Sequence, residues 1–192
     1  MADPISPTER AAIVAELERS RDAFLAAIAA VPAHAWSQQP AAGRWSAGEC
    51  AEHVIRIERG MRKFLPTVLA VTPPDPSRRG ALAGRDAAIA ASLRDRGRQR
   101  PAPDNVRPEG RYPASDQAAA DFAGARAAVI DFARTTGADL RGIFVPHPAL
   151  RELDGYQWLL FVAYHTDRHT AQLEELRAAL GNESVADRVK HR

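Results

Sequence analysis

Apolar residues return at every third or fourth position along four long stretches of this chain, the spacing of helices with one buried face. The most regular stretch is the last. From Gly155 to Leu180, Trp158, Phe161, Val162, His165, His169, Leu173, Leu176 and Leu180 share a face, while Asp167, Arg168, Glu174, Glu175 and Arg177 take the opposite one. Asp154 and Gln157 form a capping box at its start, and Gly181 stands where a helix commonly closes. The first stretch opens at Ser6-Pro7-Thr8-Glu9, a capping box with proline in the first turn, and carries Ile13, Val14, Leu17, Phe24, Leu25 and Ile28 before Pro32. The second opens at Ser46, with Glu49 reaching back, and aligns Cys50, His53, Ile57, Met61 and Phe64 before Pro73-Pro74. Pro66 lies inside it and marks a kink or an early end near Leu65. The third starts at Ser115, carries Phe122, Ala125, Val129, Ile130 and Phe132, and ends at Gly137.

Helices are therefore expected at residues 7–31, 47–71, 115–136 and 155–180. Between the second and third the periodicity weakens to a short helix around Arg85 to Arg96, followed by the proline-rich run PAPDNVRPEGRYP. So long a connection inside one domain either crosses the bundle or helps to build a site. A second connection, ADLRGIFVPHPALRELD, leads into the last helix. Four long amphipathic helices with long crossover connections describe an all-α four-helix bundle. One domain over residues 1–181, with a polar, frayed tail at 182–192, accounts for the whole chain.

Composition agrees and removes alternatives. With 192 residues the chain can bury a substantial core; it is 45% hydrophobic, mostly alanine and leucine, and only 6% aromatic, which favours helices. A net charge of +2 gives no pull toward nucleic acid. Arginines gather between Arg78 and Arg111 without interleaved aromatics, as a solvated connection would have them. No apolar run approaches the ~20 residues that span a bilayer, and the N-terminus has no apolar signal core. Cys50 is alone, which excludes an intrachain disulfide, so a cytoplasmic protein is expected.

The chemistry concentrates in three histidines. His165 and His169 lie one turn apart on the buried face of the last helix, and His53 lies on the buried face of the second. Lone histidines on apolar faces are mostly satisfied core residues. A pair at i, i+4 can also reach one metal ion, and three neutral imidazoles suit zinc, nickel, iron or copper with positions left open. HTDRH is not the zincin motif, because Thr166 stands where that motif has its glutamate. Glu49, one turn before His53, is a candidate acceptor for its second ring proton or simply the helix cap. Gln172, one turn after His169, is a candidate for orienting water or substrate or a packed amide. Cys50 reads as an inert core thiol, His147 as a turn or outer-layer residue, His34 and His191 as surface, and Trp45 and Trp158 as packing. Arg98, Arg100, Arg107 and Arg111 are either contacts for an anionic substrate or solvated loop residues.

Three runs carry a resemblance: WSAGECAEHV, APDNVRPEG and HPALRELDGYQWLLFVAYHTDRHTAQL. The last has a Trp-Leu pair, then two histidines four apart, then glutamine three further on. Together they resemble the DinB-like (DinB/YfiT) superfamily of metal-dependent enzymes, over nearly the whole chain to Leu180. The resemblance implies a four-helix bundle, a frequent homodimer and a divalent metal held by His53, His165 and His169. Zinc or nickel is the first expectation, iron or manganese the second. Some family members are S-transferases using bacillithiol or mycothiol, and one is a mycothiol-dependent isomerase. The leading expectation is transfer of a low-molecular-weight thiol to a small-molecule electrophile. The alternatives are a hydrolase using metal-bound water, with Glu49 or Asp167 assisting, and a non-catalytic metal-binding module acting through dimer contacts.

Overall fold

A computed structural model describes residues 5–97 and 101–190, the backbone alone from residue 181 onward. The four expected helices form: α1 (Pro7–Ala30), α2 (Ala47–Val71), α4 (Ser115–Thr135) and α5 (Gly155–Lys190), with a short α3 (Asp86–Arg94) in the long connection. The capping boxes act as expected. The Ser6 hydroxyl accepts from Glu9 N and the Ser46 hydroxyl from Glu49 N, each returned by the glutamate. Asp154 and Gln157 exchange the same pair of bonds at the head of α5.

α2 runs to Val71 as expected, through Pro66, since an exposed proline costs it a bond without ending it. Two expectations change. α5 does not close at Gly181 but keeps a helical backbone to Lys190, so residues 182–190 of the expected tail belong to it. Glycine costs a helix only ~1 kcal/mol against alanine, and no proline follows. The connection before α5 holds a hairpin, β1 (Phe144–His147) and β2 (Arg151–Asp154), antiparallel with Val145 opposite Leu153. Four-residue strands carrying Pro146 give too little alternation to be read from sequence. Arg151, at φ 65°, makes the tight return, and His147 Nδ1 accepts from Ala149 N and Leu150 N at 3.1 Å, the turn role expected of it.

α1 packs against α5 and α4, and α2 packs against α4 and α5, which puts the consecutive helices α1 and α2 at opposite corners. Two apolar clusters fill the interior. One takes the early part of α1 and α5 and the late part of α2 and α4; the other takes the reverse halves. Hence α1 runs parallel to α5, and α2 parallel to α4. The crossover from Thr72 to Ala114 is long because it joins parallel neighbours.

Between the two clusters lies a polar layer with one contribution from each long helix: Ser20, Glu58, Arg126 and Thr166, all fully buried. Arg126 donates to Leu17 O at 2.8 Å, Ser20 Oγ at 2.7 Å, Thr166 Oγ1 at 2.7 Å and both oxygens of Glu58, which occupies all five of its N–H groups. Among the described residues no helix is long and apolar enough to cross a membrane.

Candidate metal centre

The antiparallel seam between α2 and α5 brings His53, His165 and His169 together, although 112 positions separate the first two. His53 Nε2 and His169 Nε2 each lie 3.2 Å from His165 Nε2. Tetrahedral ligands at ~2.05 Å from one ion would stand ~3.3 Å apart, so the spacing suits a single zinc-like centre.

The outer ring nitrogens fix which atoms face inward. His53 Nδ1 donates to the Val106 carbonyl at 2.8 Å, and His169 Nδ1 donates to Gln172 Oε1 at 3.0 Å. Both Nε2 atoms are therefore bare acceptors aimed at His165. His165 Nδ1 is sealed from solvent and has no partner. If its proton sits on Nδ1, three lone pairs converge with nothing between them; if on Nε2, only one neighbour can receive it. In either state the protein leaves buried nitrogen unsatisfied, which is costly. A divalent cation satisfies all three Nε2 atoms at once, and the donor set fits it.

Electrostatics keeps the rings in the form a metal needs. Burial pushes the His53 basicity below the ordinary imidazole value, aided by Arg56. Burial likewise pushes His165 and His169 well below it, with the neighbouring rings and Arg168 adding to the effect. The walls are aromatic. Trp45 lies 5.0 Å from the His53 ring and 6.4 Å from the His169 ring, and Phe161 lies 5.3 Å from His165. His147 extends this stripe against Phe161 and Trp158.

Several sequence expectations find their outcome here. Glu49 does not serve His53. Its carboxylate curls back onto Ser46 N at 2.8 Å and receives Gln39, because an i+4 ring pointing across the seam is out of its reach. The Val106 carbonyl, delivered by the crossover, takes its place. Trp45 is not core packing but the half-exposed cover of two histidine rings. Gln172 is engaged with His169 and so positions that ring. Cys50 touches His169, yet burial pushes its thiol up to about 12, leaving it protonated and inert. Asp167 is held by Arg19 and Arg94 on the outer face. Arg107 and Arg111 pair with Asp104 and Glu109 at the exposed crossover. His34 is exposed; Arg98, Arg100 and His191 lie outside the described residues.

The crossover is itself anchored. Buried Glu52 accepts from Arg111 N at 2.9 Å and from Arg56 at 3.1 Å, and Trp36 Nε1 donates to Tyr112 O at 2.9 Å. Gly48 allows this approach, since a Cβ there would stand 2.9 Å from Tyr112 O. A charged residue next to His53 on an apolar stretch was the available signal for Glu52. A backbone carbonyl such as Val106 leaves none. A larger cleft of about 600 Å³ between α2 and α4, lined by Arg59, Lys63 and Asp121, shares no residue with the three histidines.

Comparison with known proteins adds family and fold. The sequence model of the DinB superfamily matches residues 16–173. The uncharacterized protein YuaE of Bacillus subtilis (strain 168) is 23% identical over 141 residues, covering 73% of this chain and 82% of YuaE. The solved structure of YfiT from Bacillus subtilis, described as a probable metal-dependent hydrolase with an unusual four-helix bundle topology, superposes with a TM-score of 0.64. That similarity covers 92% of this chain and 90% of YfiT at 13% identity.

Proposed function

The chain belongs to the DinB superfamily, and from that premise we propose a metal-dependent enzyme whose divalent ion is held by His53, His165 and His169. The observation that supports this is the convergence of three Nε2 atoms with at most one proton to share among them. An ion held there supplies Lewis acidity and makes an acidic nucleophile available as its anion at neutral pH. Zinc or nickel suits three imidazoles best, with iron or manganese next. His53 and His169 are oriented by Val106 and Gln172; Trp45 and Phe161 keep the surroundings dry.

Among the described residues no carboxylate hydrogen-bonds any of the three rings. A bound ion would bring water down to ~7 as well as ionising a low-molecular-weight thiol at ~8.5, but a thiolate is the better ligand for a zinc-like ion. We therefore assign transfer of such a thiol to a small-molecule electrophile as the leading reaction. Hydrolysis is the second reading, favoured by the description of YfiT. A homodimer in the cytoplasm completes the proposal, on the family resemblance and the single unpaired cysteine.

Elemental analysis of protein purified without a histidine tag should find about one divalent ion per chain. Metal-loaded protein should then consume thiol only when an electrophile is present. Ester or amide cleavage without thiol would move the assignment to hydrolysis; tight metal with neither reaction would make the chain a binding module; absence of metal would remove the proposal.

A further inference from the structure

Trp45 and Gln172 each face two ways. On one side Trp45 covers the His53 and His169 rings and Gln172 holds His169 Nδ1. On the other side both line a cleft of about 200 Å³ between the α1–α2 linker and the later turns of α5. Pro40, Ala41, Leu176 and Ala179 give the cleft apolar walls, and Arg44 and Glu175 stand in its lining.

The charges are unequal. Arg96 donates to both Glu175 oxygens, at 3.1 and 2.7 Å, and so neutralises that carboxylate. The exposed Arg44 guanidinium feels Glu175 but makes no hydrogen bond or salt bridge among the described residues. The lining therefore offers an apolar surface, one aromatic face and one uncommitted cation. Full ligand pockets run to ~300–1,000 Å³, so a cleft of about 200 Å³ holds part of a small molecule and not all of it. Trp45 and Gln172 are the wall that separates it from His53 and His169.

We propose that this cleft anchors the non-reacting end of the substrate, a small apolar carboxylate whose chain or single ring lies on Trp45 and Leu176 and whose anionic end meets Arg44. The reacting end then passes Trp45 toward His53, His165 and His169, a step that rests on the function proposed above. Trp45 becomes the residue that sets which chain shapes reach the centre, and Arg44 the one that selects charge.

Octanoate, 1-octanol and octylammonium test the anchor in the full-length, metal-free protein, followed by the Trp45 indole and alanine methyl resonances. Octanoate should bind about tenfold tighter than octanol, the usual worth of one charge-assisted hydrogen bond, and octylammonium weakest. Arg44→Gln should bring octanoate down to the octanol level, and Ala179→Trp, an exposed position on α5, should block both. The His165→Ala variant, which removes a histidine that bonds neither Trp45 nor Gln172, should bind octanoate unchanged, so failure of the metal assignment would leave this result intact. Octanoate no tighter than octanol, or indifferent to Arg44→Gln and Ala179→Trp, would overturn the anchor. For the link to the centre, 8-mercaptooctanoate should gain at least tenfold over octanoate in zinc-loaded protein and nothing in metal-free protein. Equal affinity in both would show the cleft and the histidines to be unconnected.

Discussion

Two buried polar clusters sit one residue apart on α5, and they are built on opposite principles. At Thr166 the Arg126–Glu58 layer closes on itself: five donors, five acceptors, every long helix contributing, nothing left for a ligand. At His165 the neighbouring cluster stays open, with three Nε2 atoms crowded together and one Nδ1 without a partner. Depth differs a little, the Arg126 layer being fully buried and His165 only half-buried, but it does not explain the contrast. Satisfaction does. A buried polar group whose partners are all internal holds the fold; one whose partners are missing is set for something from outside.

The sharpest break in this comparison is the variant His165→Ala/His169→Ala. It should lose its metal, by far more than the ~10–100-fold that removal of an outer partner causes, while still unfolding cooperatively. Metal content by elemental analysis and thermal melts read the two halves of that statement, and His34→Ala should change neither. Full metal occupancy in the folded double variant would make the histidines core residues.

The converse variant is Arg126→Met. It strands Glu58 in the core and should lower stability by ~3–5 kcal/mol in denaturant titrations, without changing metal per folded chain. Arg126→Met with Glu58→Leu should recover most of the loss, because the apolar pair leaves no buried charge. A metal loss that persists in the double variant would show that the two clusters are not separate devices.

Acid separates them next. The three histidines have folded values below the unfolded imidazole value, so the unfolded chain takes up protons first and stability present above pH ~6.5 is lost as pH falls toward the depressed folded values. Unfolding free energies of the metal-free protein from urea titrations should therefore drop by about 1 kcal/mol for each ring between pH ~6.5 and ~5.5. The double histidine variant should lose most of that slope, while Arg126→Met should keep it. A pH-independent midpoint would mean that the rings are not buried neutral.

The smallest effect belongs to the outer partner. Gln172→Ala frees the His169 ring and should weaken metal affinity ~10–100-fold with little change in stability. Glu49→Ala should instead cost ~1 kcal/mol of stability through the lost cap and leave affinity alone. If Glu49→Ala weakened metal binding as much as Gln172→Ala, the division between cap and ring partner drawn from the hydrogen bonds would fail.

How much of this was legible in the chain follows from the range of each interaction. Helix starts were readable because a capping box lies within four residues, and the histidine faces because helical periodicity is local. Local order also settled the expectation of four long helices and placed His53, His165 and His169 inward. What it could not settle was which buried polar groups would meet. Glu58 and Arg126 are charged residues on apolar faces, but their pairing runs across 68 positions and depends on α2 and α4 being parallel neighbours. Val106 contributes a carbonyl, which every residue has, so only the docked crossover could single it out. Trp45 looked like packing because aromatics before a helix usually are, and its place over two imidazoles was set by the angle at which the linker enters α2. Local hydrogen bonds and periodicity are written in neighbouring residues; the choice among equally apolar partners is made only when whole helices pack, because burial rewards any apolar contact and a specific polar geometry rewards one.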